Sequence, residues 1–420
     1  MEGKRDAEFA PGCYIKFVTE NMELESLSLM IVAGENSGDN HAAALVRALR
    51  ARMPATQTQF FGSTGEEMRR AGVETIIRHD DLAITGLIEV GRALPVFWRV
   101  FNRLKRAAVE RKPDAVVLVD WPEFNLRLAR ALHRRGLKVI YYISPQLWAW
   151  RAYRVRQIAR DVDLLLAILP FEPQWYKQRG VEHVEFVGHP LASGTVKPRI
   201  GKEEFCRSNN LNPAQPVIAL LPGSRRMELT RNLPLMLDAA ARILNARPEA
   251  QFVVPLAANR APAEVETVLA ESGAQPFPSS LRARLRVVQN STYEALAAAD
   301  AAAVTSGTAT LEAAIIGTPL VIVYKESWLN WNTLGRLINT EHFGLINLIA
   351  EERIATELMQ NDFTPARLAT ELLQLLDKGR NEATRERLRR ATARLGTGDA
   401  SREAADRILR AVRDWRIGEG

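Results

Sequence analysis

The sequence predicts an α/β fold: two doubly wound, Rossmann-like parallel sheets facing each other across a cleft. Two observations predict it. From Leu27 onward, short apolar runs alternate with longer amphipathic ones, the order expected of parallel βαβ units. The alternation pauses once, at Pro190–Ile200, a stretch with two prolines and little apolar content, and then resumes. A chain of 420 residues also exceeds one ordinary core, so two successive domains follow.

Ser28–Val32 reads as a buried strand, and His41–Arg50 follows as a helix with apolar residues at i, i+3, i+4 spacing. Asp114–Val119, Lys138–Ile143, Leu164–Ile168 and His183–Val187 are further strands, each preceded by a basic, helix-compatible segment. Beyond the pause, Pro216–Leu221, Gln251–Pro255, Leu285–Val288, Ala301–Val304 and Leu320–Val323 repeat the pattern. The division is residues 27–195, residues 196–395 and a C-terminal helical segment over 396–420, expected to return to the N-terminal domain or to be exchanged with that of a second copy. Residues 1–26 read as a poorly ordered extension with scattered charge and no apolar core of a secretory signal.

Composition narrows the class. Hydrophobic residues at 47% with charged residues at 25% describe a soluble globular chain. Cys13 and Cys206 lie far apart with no zinc-ligand spacing, which fits a reducing cytoplasm and argues against a disulfide framework or a zinc site. The net charge of +7 suits an anionic partner or simply aids solubility. No membrane span is present, because the most apolar stretch, Ala295–Tyr324, is broken by Asp300, Ser306, Thr308 and Glu312.

In doubly wound sheets, ligands bind at the carboxyl ends of the strands, and four loops there carry chemistry. In Ala33–Asp39, Gly34 and Gly38 permit close backbone approach before a helix start; Asp39 reads equally as the cap of that helix. Asp120, ending an apolar strand ahead of Trp121–Asn125, reads as a general base raised by partial burial or as another helix cap. Gly223, Ser224 and Arg225 form a small-residue turn with a fixed cation suited to a diphosphate. Ser306, Gly307 and Thr308 leave a helix start open to phosphates, and Glu312, one turn on, is placed for ribose hydroxyls. No Walker motif accompanies them.

One amphipathic stretch, 93–106, mixes Phe97, Trp98 and Phe101 with cations including Arg99 and Arg103. It suits either a membrane interface or a helix whose aromatic face packs inward. The histidines form no visible ligand set; His189 in Gly188-His189-Pro190 reads as structural, and His79, His133 and His342 stand apart.

Together the motifs resemble the lipid-A-disaccharide synthase family. Ala33–Asp39 is similar to its Ala-Gly-Glu-x-Ser-Gly-Asp signature, Asp120–Asn125 to its Asp-x-Pro-[Asp/Glu]-Phe-Asn loop, and Ser144–Arg151 to its tryptophan-rich run. Leu169–Glu172, Gly188–Pro190, Leu221–Arg225, Val254–Leu256, Ser306–Glu312, Tyr324-Lys325, Glu357–Gln360 and the Ala400–Ala405 region continue the likeness to the C-terminus. Two departures stand out: Leu345-Ile346-Asn347 lacks the family's proline, and Trp121 replaces a smaller residue.

The resemblance implies a two-lobed (GT-B) glycosyltransferase. It would move 2,3-diacylglucosamine from UDP to 2,3-diacylglucosamine 1-phosphate by inverting displacement, with no metal and no cofactor. It implies Asp120 as base with Glu35 beside it, and Ser37, Gly38, Asp39 and Asn125 on the acceptor side. Gly223, Ser224, Arg225, Ser306, Gly307, Thr308, Glu312 and Asn347 would bind the donor. Lipid substrates favour membrane contact through Phe97, Trp98, Arg99, Phe101 and Arg103, on the anionic inner leaflet facing the cytoplasm, in a homodimer. The rivals are a peptidoglycan-precursor transferase or a UDP-N-acetylglucosamine 2-epimerase, a catalytically dead sugar-nucleotide sensor, and a basic nucleic-acid binder. For the last there is no recognised binding module, and the cations are spread over many helices.

Overall fold

The structure is a computed structural model that describes residues 24–78, 90–258, 260–271, 278–325, 342–396 and 398–418. The expectation for the N-terminal extension falls, up to residue 23, outside the described residues, as does His79.

Two parallel sheets form, in line with the expected fold. The first has seven strands: β1 (Leu27–Val32), β2 (Thr58–Thr64), β3 (Glu74–Arg78), β4 (Ala115–Val119), β5 (Val139–Tyr142), β6 (Leu164–Ala167) and β7 (Val184–Phe186), in the order β3-β2-β1-β4-β5-β6-β7. The second has six: β8 (Val217–Leu221), β9 (Gln251–Leu256), β10 (Leu285–Gln289), β11 (Ala301–Thr305), β12 (Leu320–Tyr324) and β13 (Thr356–Met359), in the order β10-β9-β8-β11-β12-β13. Strand order reverses between β1 and β4 and again between β8 and β11. At such switch points the helices on either side diverge and leave a crevice.

β2, β3 and β13 have no counterpart among the strands read from the sequence. β2 carries its two phenylalanines beside Gly62, Ser63 and Thr64, which are buried despite being small or polar. β3 and β13 are edge strands with partly exposed residues, so neither shows the continuous apolar run of a strand buried on both faces.

Apart from β2, the inner strands are predominantly apolar because helices cover both faces. One face of the first sheet packs against the Asn36–Arg50 helix and the last helix, Ala400–Gly418; Ala42, Ala43 and Val46 share a core with Ala404, Ala405, Ile408 and Val412. The chain thus returns to its own first sheet. Arg52 pairs with Asp406, and Arg416 Nε donates to Asp114 at 2.9 Å, fixing both ends of that helix. Among the described residues no helix is long and apolar enough to cross a membrane.

Ile408 is fully buried in this joint. Ile408→Ala should cost about 2–5 kcal/mol in urea unfolding followed by far-ultraviolet circular dichroism. A loss under about 1 kcal/mol would mean that the last helix is not part of the first core.

Candidate active site

The β4 strand ends in two consecutive left-handed residues, Asp120 (φ 49°) and Trp121 (φ 51°). Aspartate tolerates this region better than most residues, but a bulky tryptophan does not, so the surroundings must enforce the pair. The Asp120 amide donates to the Tyr142 carbonyl at 3.1 Å, while its own carbonyl accepts from Tyr141 Oη and Asn125 Nδ2, each at 2.7 Å. Pro122 then starts the Pro122–His133 helix with the φ that a first helical turn requires. The Trp121 ring stacks on Phe124 at 4.1 Å and lies over Gly34, where any Cβ would sit 2.0 Å from the indole. Gly34 is therefore needed for close approach, and the neighbour it admits is Trp121.

Asp120 is half-buried. Burial raises its pKa above the ordinary aspartate value; the nearby Glu35 carboxylate adds to the rise, and a hydrogen bond from the Trp121 amide opposes it. Glu35 and Ser37 are exposed at the start of the Asn36–Arg50 helix, and Glu35 makes no capping bond.

Asp39 differs from the expectation. It is buried, and its carboxylate accepts from the amides of Gly65 (2.8 Å), Glu67 (2.8 Å) and Met68 (3.2 Å). It therefore caps the neighbouring Glu66–Arg70 helix, neither its own helix nor a sugar. Asn125 is also fully buried, and its amide serves the carbonyls of Val119 and Asp120. Its part is to hold the Asp120 backbone.

On the second lobe, the loops after β8 and β11 meet. A cavity of about 410 Å³ is lined by Gly223, Ser224, Arg225, Ser306, Gly307, Thr308 and Glu312, among others. The Thr308–Ile316 helix starts without a side-chain cap, and Gly307 (φ 150°) has nothing within 4 Å of where a Cβ would be. Its first N–H groups are thus available to an anion. The β8 turn is less open than expected, because the Glu228 carboxylate already accepts from the Ser224 and Arg225 amides at 3.0 and 3.2 Å. What that turn offers a phosphate is the exposed Arg225 guanidinium.

Glu312 accepts from Tyr293 Oη at 3.0 Å, and burial raises its pKa. Tyr293, pushed up to about 12 by burial and by Glu312, remains a donor and fixes that carboxylate. Asn347 departs from its expected donor contact. It is fully buried; its amide donates to the Ala355 carbonyl and to Glu357, while its oxygen accepts from the Ile354 and Ala355 amides, all within 2.9 Å. No hydrogen-bonding capacity remains for a sugar.

The tryptophan-rich run forms a short turn, Leu147–Trp150, that reaches the second lobe: Trp148 belongs to its core. Glu172, fully buried, accepts from Ser144 Oγ (2.6 Å), Trp148 Nε1 (3.1 Å) and the Ile168 and Leu169 amides. Burial pushes its pKa to about 7 against those four donors. Arg151 and Arg154 both pair with Glu123, tying the same turn to the Asp120 loop. His189 accepts from the Leu191 amide, and burial beside His41 lowers its pKa to about 4, so it is neutral. Tyr141, Tyr293 and Glu172 were not legible as site residues; for Glu172, the signal was a carboxylate ending the apolar Leu164–Phe171 run.

The Val90–Arg111 helix corrects part of the membrane expectation. Phe101 is buried, and the half-buried Phe97 packs edge-on against Phe124 at 4.9 Å, so both rings turn toward the core. Trp98, 61% exposed, Arg99 and Arg103 remain on the surface. Side chains before Pro95 in this helix lie outside the described residues.

Comparison with known proteins agrees with this geometry. The family model for lipid-A-disaccharide synthetase matches residues 29–412. A lipid-A-disaccharide synthase of Trichlorobacter lovleyi is 42% identical over 385 residues, covering 91% of this chain and 97% of that one. Among solved structures, the glycosyltransferase of kitacinnamycin superposes with a TM-score of 0.60 at 16% identity, over 92% of this chain and 99% of that one. UDP-GlcNAc 2-epimerase from Neisseria meningitidis, bound to UDP-GlcNAc, gives 0.58 at 11%, over 91% and 100%. The two structures share the fold alone. The sequence matches carry the assignment: the chain belongs to the lipid-A-disaccharide synthase family of glycosyltransferases.

Proposed function

We propose that the chain carries out its family's transfer with Asp120 as general base and the Arg225–Thr308 pocket as the seat of the UDP leaving group. The observation that carries this reading is the pairing of two half-sites, one at each switch point. The first lobe presents a carboxylate with a raised pKa, and the second an uncapped helix start beside an exposed arginine. Asp120 takes the proton of the acceptor 6-hydroxyl as that oxygen bonds to carbon 1 of the donor sugar. The bond from carbon 1 to the diphosphate breaks, with inversion, and UDP leaves with the electron pair. Arg225 and the amides at 307–309 stabilise the charge that develops there, an interaction stronger in the transition state than in the ground state. Glu312, steadied by Tyr293, accepts from ribose hydroxyls. Glu35 and Ser37 line the acceptor side, where Glu35 also keeps Asp120 basic.

Acylated glucosamine substrates place the protein at a lipid surface, and we assign contact with the anionic inner leaflet to Trp98, Arg99 and Arg103. The homodimer and the cytoplasmic, peripheral location belong to the same reading.

Asp120→Asn should lower kcat by about 10²–10⁴-fold with little change in donor KM, read by mass spectrometry of the disaccharide and UDP formed. Wild-type turnover in Asp120→Asn would remove the base assignment. The base acts only when ionised, so activity should fall as pH drops through the Asp120 pKa, beginning above the ordinary carboxylate range. Removing the neighbouring negative charge with Glu35→Gln lowers that pKa, so the acidic limb of kcat/KM should move to lower pH. An unmoved limb would detach Glu35 from Asp120. For the surface contact, a Trp98→Ser, Arg99→Ser, Arg103→Ser variant should sediment less with phosphatidylglycerol vesicles while its thermal unfolding is unchanged. Equal sedimentation would place the lipid contact elsewhere.

A further inference from the structure

A second cavity, of about 780 Å³, lies between the lobes and is distinct in character from the nucleotide pocket. Most of its wall is apolar: Trp148 and Ala149 from the first lobe face Phe343, Leu345, Leu348 and Met359 from the second. It shares Ser306, Gly307 and Thr308 with the pocket assigned to the diphosphate, so the two spaces are continuous at the helix start. UDP and an unsubstituted sugar ring are polar over nearly their whole surface, and neither accounts for a wall of this composition.

We infer that this interlobe cavity is the subsite for an acyl chain of the sugar donor. The inference rests on the donor reading given above. Its argument is the juxtaposition of an apolar space with the phosphate loop. With the diphosphate at the Ser306–Thr308 helix start, carbon 1 of the sugar is bonded to it. The acyl-bearing carbons 2 and 3 then lie one and two bonds further along the ring. A chain leaving there enters the apolar space without crossing the nucleotide.

Both walls are backed by buried polar locks that have no other assignment. Behind Trp148, its indole N–H is held by Glu172, and its ring packs edge-on against Phe171 at 5.2 Å. Behind Leu345 and Leu348, the Leu345–Ala350 helix is fixed by Asn347, and the Phe343 and Gly344 amides donate to Glu357. Walls held in this way keep their own shape before the donor arrives, which is what a chain-length selector requires.

The test uses full-length enzyme and synthetic UDP-glucosamine donors whose two acyl chains are long or short, with kcat/KM measured for each. Leu348→Trp and Met359→Trp narrow the cavity and should each lower the long-to-short preference at least tenfold, since a few methylenes' worth of apolar contact is at stake. Leu348→Ala should move the preference toward longer chains. The dissociation constant for UDP, measured by calorimetry, should stay within about twofold of wild type in all three, because the nucleotide pocket is untouched. An unchanged long-to-short ratio in variants that still bind UDP would overturn the subsite. So would a ratio that changes only in proportion to lost UDP affinity. Wild-type enzyme that forms no disaccharide from any acylated donor would instead overturn the parent reading. The Leu348→Ala arm keeps the test decisive if a tryptophan variant does not fold.

Discussion

The loops that carry the proposed base and the diphosphate contacts leave four strand ends, and the reason is the parallel strand order. In each sheet one strand, β1 or β8, has neighbours whose connections run in opposite directions. Helices that follow the two strands at that point cover opposite faces, so nothing fills the space above the strand ends. The Glu35 and Asp120 loops stand over the first such gap, and the Arg225 and Ser306 loops over the second. Two cores of ordinary packing thus generate two open edges.

Open edges must still be held to fractions of an ångström, and here the holding is done by buried polar side chains. Asp39, Asn125, Glu172 and Asn347 are each nearly or fully inaccessible to solvent, and each uses its oxygens or amide on loop backbone or on another loop's side chain. Burying such groups unpaired costs a few kcal/mol apiece, and the Asn125 Oδ1 has no partner among the described residues; where they are paired, they convert that penalty into a single loop conformation. The double left-handed step at Asp120–Trp121 shows the result, since three hydrogen bonds to the Asp120 backbone and a stacked indole keep a conformation that the residues themselves disfavour.

This division of labour also explains what could be read from the sequence. Strands announce themselves as apolar runs, so ten of the thirteen described strands were legible, edge strands β7 and β10 among them, whereas edge strands β3 and β13 and the small-residue β2 were not. Asp120 stood out in the sequence because a carboxylate at the end of an apolar strand demands a reason. Asp39, Asn125 and Asn347 lie in motifs just as distinctive, yet a motif does not say whether a polar side chain faces a ligand or the backbone behind it. Only the geometry separates them: three amides converge on Asp39, and Asn347 has no bond to spare. Helical periodicity likewise placed Phe97 and Phe101 beside Trp98 in sequence without telling which of the rings turn inward.

Those rings join two parts of the molecule that the sequence presents separately. Phe97 and Phe101 pack on Phe124, Phe124 stacks on Trp121, and Trp121 covers Gly34 beside Glu35. An unbroken line of aromatic contacts therefore runs from the helix bearing the exposed Trp98 to the backbone of the proposed base. Close-packed rings transmit displacement because there is no void to absorb it. A shift of the outer helix would press on the Asp120–Trp121 loop with its two consecutive left-handed residues, and the large residue at position 121 completes that line. A smaller side chain there would leave Gly34 uncovered and Phe124 without its stacking partner, uncoupling the surface helix from the Asp120 loop.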